Sequence, residues 1–110
     1  MGVVLDTAQL EDVTLGDSHL MREIVVDLVA DTEAQIEALR VALANGDTQL
    51  STRVAHSAKG ACANVGAIAM AELLLLVERT AAAGDLEACG ASIPKLTWEL
   101  DRLRARVESL

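Results

Sequence analysis

Of the two histidines in this sequence, one stands where its ring could act as a nucleophile. His56 lies in a stretch of helical periodicity in which Leu50, Val54, Ala58, Ala61 and Val65 gather on one side at 100° per residue. The imidazole is expected on the opposite side, among Gln49, Thr52, Arg53, Lys59, Gly60 and Ala63. A glycine inside a helix costs about 1 kcal/mol relative to alanine, so Gly60 needs a reason for its place one turn from His56. Clearing an approach to the ring is such a reason. Lys59, also one turn on, can reach an anion bound to the imidazole. An exposed neutral imidazole with an ammonium beside it suits the reception of a phosphoryl group, a reaction that needs an in-line nucleophile and cations for the equatorial oxygens. Arg53, one turn earlier, either adds positive potential or pairs with a carboxylate such as Asp47 or Glu37. His19, between Ser18 and Leu20, reads as an exposed polar residue.

The elements that must hold His56 are marked by a recurring dipeptide. Gly-Asp occurs at Gly16-Asp17, Gly46-Asp47 and Gly84-Asp85. Glycine closes a helix in the left-handed conformation, and aspartate accepts backbone N–H bonds at the start of the next. Helices are expected over about 6–13, 17–45, 47–65, 67–83 and 85–109. The second places Met21, Ile24, Val25, Leu28, Ile36, Leu39 and Leu43 on one stripe, with Thr32 in its gap. Glu23, Asp27, Asp31, Glu33 and Glu37 fall on its outer face, and its length should be roughly 40 Å. The last carries Ile93, Leu96, Leu100, Leu103, Val107 and Leu110, but Pro94 lies early in it. That proline calls either for a new helix starting near Ser92 or for a kink in a longer one. Short connections force neighbours antiparallel, so the expected fold is all-α: an up-down four-helix bundle with a short extra N-terminal helix.

Composition agrees and removes other classes. Trp98 is the only aromatic among 110 residues, so the core is aliphatic and the chain suits helices rather than a β-sandwich. Nine Lys and Arg against seventeen Asp and Glu leave a net charge of −8, which argues against nucleic acid and anionic membrane surfaces as partners. Cys62 and Cys89 lack the paired spacing of a zinc site and read as buried thiols of a reducing compartment, with a disulfide the lesser alternative. No metal site is expected. The stretch from Ala61 to Val77 falls short of the ~20 residues of a membrane span, and no signal peptide is visible, so a cytoplasmic protein of one domain over 1–110 is expected.

The segment Ala55-His56-Ser57-Ala58-Lys59-Gly60, followed by Ala63-Asn64-Val65-Gly66-Ala67, resembles the signature of histidine-containing phosphotransfer (HPt) domains. That signature reads approximately A-H-x-L-K-G, then A-N-hydrophobic-G. Leu15-Gly16-Asp17, Asn45-Gly46-Asp47, and Val77-Glu78 with Ala83-Gly84-Asp85 extend the likeness over nearly the whole chain, in order. The resemblance implies a histidine, here His56, that takes a phosphoryl group from a receiver-domain aspartate or a sensor or hybrid histidine kinase and passes it to another receiver. It implies that Lys59 neutralises the phosphoryl oxygens, that Gly60 leaves room for the partner, and that Asn64 and Gly66 end the histidine helix. It implies no cofactor, no nucleotide site and no autonomous kinase activity, magnesium belonging to the receiver's acidic pocket. One departure is Ala58, where the family usually has leucine.

The run Leu73 to Val77 holds more apolar side chains than one stripe buries. Leu75 and Leu76 are left over, and Leu76, counted back from the turn at Gly66, should lie level with His56. They would form an apolar docking patch for a receiver, or equally for a second copy of the chain, unless neighbouring helices cover them. Two other function classes stay open: a scaffold that binds receivers or kinases without carrying phosphate, and a hydrolase. The second lacks a general-base pair or an enclosed site. A pure scaffold has no use for His56 beside Lys59 and Gly60.

Overall fold

A computed structural model describes residues 2–110; Met1, the first residue of the expected 1–110 span, lies outside them. The chain forms α1 (Thr7–Thr14), α2 (Ser18–Ala44), α3 (Thr48–Val65), α4 (Ile68–Ala82) and α5 (Leu86–Arg106), then a 3-10 turn over Val107–Ser109. There is no strand among the described residues.

Each Gly-Asp pair acts as a stop and a start. Gly16, Gly46 and Gly84 have φ of 78°, 66° and 76°. Asp17, Asp47 and Asp85 accept from the backbone N–H of Leu20, Leu50 and Ala88 at 3.1, 3.0 and 3.0 Å, satisfying donors the first helical turn leaves free. α4 has no side-chain cap. The extended N-terminal segment replaces it: Ala69 N–H donates to Val3 O, and Asp6 N–H donates to Gly66 O, both at 2.8 Å. α1, capped by Asp6, serves the other side of that hairpin, since Gln9 Nε2 donates to the carbonyls of Ala63 and Asn64 at the end of α3.

α2 contacts α3 and α5, and α4 contacts α3 and α5, so the four longer helices touch in a closed cycle. The longest dimension is 42 Å, close to the span of α2 alone. Val25, Leu28, Ile36 and Leu39 of α2, Met70, Leu74 and Val77 of α4, and Leu96, Leu100 and Leu103 of α5 fill the interior. The five acidic residues expected on the outside of α2 are all exposed. Thr32 is buried, and its hydroxyl meets Cys62 Sγ at 3.7 Å, so the polar gap in the stripe has a partner. Burial pushes the Cys62 thiol above its ordinary value, against the Thr32 hydrogen bond. Cys62 and Cys89 are both free and buried, so the disulfide is set aside.

One sequence expectation needs correction. The buried face of α3 is Ser51, Ala55, Ala58 and Cys62, while Leu50 and Ala61 are exposed and Val54 and Val65 sit at the border. A stripe drawn through the larger apolar residues misses a face built of small ones. His56 nevertheless lies outside both faces. Of the two readings of Pro94, the structure takes the longer helix: α5 runs from Leu86 to Arg106 through it. Pro94 withholds a hydrogen bond from the carbonyl of Gly90, but Gly90, Ala91 and Pro94 are exposed, so that end of the missing bond lies on the solvent side of the helix. α5 also buries Glu99, 2.9 Å from Arg102, whose guanidinium lies over the Trp98 ring.

Candidate functional site

His56 projects from the middle of α3 with its side chain 67% exposed. Its Nδ1 lies 3.0 Å from Glu78 Oε2, which α4 supplies. The other oxygen, Oε1, accepts from Lys59 Nζ at 2.6 Å, and that ammonium stands 3.4 Å from Nδ1. One carboxylate thus grips two side chains that α3 presents a turn apart. Glu78 is 21% exposed, and the Lys59 hydrogen bond, with help from His56, holds its carboxyl below the ordinary glutamate value against the effect of burial. An ionised carboxylate only accepts, so Nδ1 carries the ring proton and donates it to Glu78. Nε2 then keeps its lone pair and has no hydrogen-bond partner among the described residues. In the neutral ring, one nitrogen is thus fixed and the other is open to act as a nucleophile.

Glu78, not Leu76, lies opposite His56. Helical side chains lean toward their own N-terminus. On α3 that direction points away from the Gly66 turn, and on α4 it points toward it, so level contacts pair residues two places further along α4. Counting Cα positions alone missed the glutamate; adding the lean finds it. Lys59 likewise sits on the Nδ1 side of the ring, bound to Glu78, rather than waiting free for an anion.

The remaining candidates flank this clamp along the seam of α3 and α4. On one side Lys59, Ala63, Ile68, Ala71, Glu72 and Leu75 line an apolar groove of about 280 Å³. Leu75 is half-buried there, and Leu76 is 48% exposed. On the other side Gln49, Thr52 and Arg53, with Thr48, Ala81 and Ala82, line a polar groove of about 340 Å³. Arg53 forms no ion pair among the described residues: Asp47 is occupied with the cap of α3, and Glu37 pairs with Arg40 at 2.9 Å. Gly60 is exposed, and a Cβ added there would meet nothing within 4 Å, so no packing inside the chain requires the glycine. Gly66 differs: its φ is 95°, and a Cβ would lie 3.0 Å from Asp6 O, which makes it the structural stop of α3. Ala58, the departure from the family pattern, is buried on the core face.

The sequence matches the Hpt domain family over residues 23–106, and the chain belongs to that family. Among solved structures it is similar to the crystal structure of histidine-containing phosphotransfer protein B (HptB) from Pseudomonas aeruginosa PAO1. The identity is 27% and the TM-score 0.89, covering 99% of this chain and 95% of that chain. No curated protein matches the sequence. Family and fold together make this chain a histidine phosphotransfer protein of a phosphorelay. No helix among the described residues is long and apolar enough to cross a membrane.

Proposed function

We propose that His56 is the phosphoryl acceptor and that Glu78, Lys59 and Gly60 serve it. The observation that carries the reading is the clamp on Nδ1, which leaves Nε2 as the open nitrogen. Nε2 attacks the phosphorus of a receiver's aspartyl phosphate in line. The N–P bond forms, the P–O bond to the aspartate breaks, and the aspartate leaves with the electron pair as a carboxylate. The ring keeps its Nδ1 proton throughout, and the positive charge it gains in the transition state faces the Glu78 carboxylate. That carboxylate alone would repel an incoming phosphoryl group; the Lys59 ammonium on its other oxygen offsets this. Gly60 leaves the space into which the receiver's loop settles. The reverse sequence hands the group to the next receiver.

The four longer helices are read as an antiparallel up-down bundle carrying α1 as an addition, all within one cytoplasmic domain. Its partners are receiver domains and a sensor or hybrid kinase, docking over the α3–α4 seam with Leu75, Leu76 and Ala63 as the apolar contribution. The test is incubation with a receiver domain phosphorylated on its aspartate. Acid-labile label is expected on the wild-type chain and on His19→Gln, and none on His56→Gln. Label that persists in His56→Gln sinks this assignment, and binding without any label favours the scaffold.

A further inference from the structure

The net charge of −8 is spread unevenly. α3 contains no aspartate or glutamate from Thr48 to Val65, whereas α2 shows five acidic residues on its exposed face. Of the two cations on α3, Lys59 is neutralised by Glu78 at 2.6 Å. Arg53 is the other. It is exposed, one turn before His56, and the nearby carboxylates are engaged elsewhere. The groove it lines is shared with Gln49 and Thr52 of α3 and Ala81 and Ala82 of α4, so it lies on the same α3–α4 seam as His56. Arg79 of α4 does not line it.

We infer that Arg53 and its groove receive an acidic side chain from the rim of the partner receiver's phosphoaspartate pocket. Arg53 thereby sets the orientation and speed of docking on an otherwise repellent molecule. The inference rests on the proposal that His56 is the acceptor, and it names a determinant of partner choice. Two acidic proteins repel at long range. An uncompensated guanidinium one turn from the nucleophile gives the approach a favoured direction, and its fork can hold a carboxylate through two hydrogen bonds. Arg53 does not touch the reacting atoms, so it is a positioning residue.

The experiment measures phosphoryl transfer from a phosphorylated receiver domain that labels the wild-type chain, at several ionic strengths. Arg53→Gln is expected to lower the second-order rate at low salt by about three- to tenfold, with the ratio to wild type shrinking toward one near 0.5 M salt. The rate at saturating receiver should stay unchanged. Arg53→Lys should restore most of the loss, and Arg40→Gln, which removes a cation from α2, should change nothing. An unchanged second-order rate overturns the inference, as does an equal loss in Arg40→Gln or a loss confined to saturating receiver. Failure of the acceptor assignment is seen separately, as label surviving in His56→Gln.

Discussion

His19 and His56 each pair with a glutamate, and the two pairs are held very differently. His19 Nε2 lies 3.1 Å from Glu23 Oε1, and His56 Nδ1 lies 3.0 Å from Glu78 Oε2. Glu23 sits one turn along the same helix, and the two side chains are 83% and 59% exposed. No other side chain among the described residues grips that carboxylate, and a solvated pair of this kind trades freely with water. Glu78 comes from a different helix, is mostly buried, and is held from its far side by Lys59. The imidazole–carboxylate contact is therefore not the informative feature. The informative feature is an anchor that cannot follow the ring, so that one nitrogen is pinned and the other is presented.

The sharpest way to break this contrast is to neutralise each glutamate in turn. Glu78→Gln is expected to slow transfer to His56 on the order of 10- to 100-fold, because the amide no longer fixes the tautomer or faces the developing charge. Glu23→Gln should leave the rate at the wild-type level, and equal effects would remove the distinction. Lys59→Gln, which leaves Glu78 uncompensated beside the ring, should fall between them, at roughly tenfold.

Gly60→Ala separates access from stability. A Cβ there meets nothing inside the chain, so thermal unfolding should show a gain of about 0.5–1 kcal/mol. Transfer should nevertheless slow by about tenfold as the methyl displaces the receiver from in-line geometry. A stabilised variant with full transfer would remove the access role.

The smallest effect concerns acid. The folded state holds the Glu78 carboxyl below its ordinary value of 4.5, so the unfolded chain binds the proton more readily. Stability from this group is fully present above the unfolded value and is lost as pH falls through the lower folded one. The contribution of Glu78 to the difference in unfolding free energy between wild type and Glu78→Gln should therefore be present at 4.5 and shrink as pH falls below it. A difference that fails to shrink below 4.5 would show that another group is responsible.

Much of this was readable before any coordinates. Gly-Asp punctuation works because each residue acts alone: glycine supplies a dihedral, aspartate an acceptor, and neither depends on distant parts of the chain. His56, Lys59 and Gly60 were legible for the same reason, being three residues on one helix face. Glu78 required a relation between two helices, and the alignment of α4 against α3 depends on the direction of side-chain lean. The buried side of α3 was misdrawn because alanine, serine and cysteine carry little hydrophobic signal. Pro94 leaves a fresh start and a longer helix both open in the sequence, because its exposed neighbourhood, where water can reach the carbonyl of Gly90, is a tertiary property.

One consequence of the clamp reaches beyond the ring itself. Under the proposed assignment of His56 as acceptor, supplier and recipient meet the same presented nitrogen and so use the same doorway. They cannot be seated together, so the cargo moves by alternating visits, and an abundant idle receiver acts as a competitor that throttles the flow.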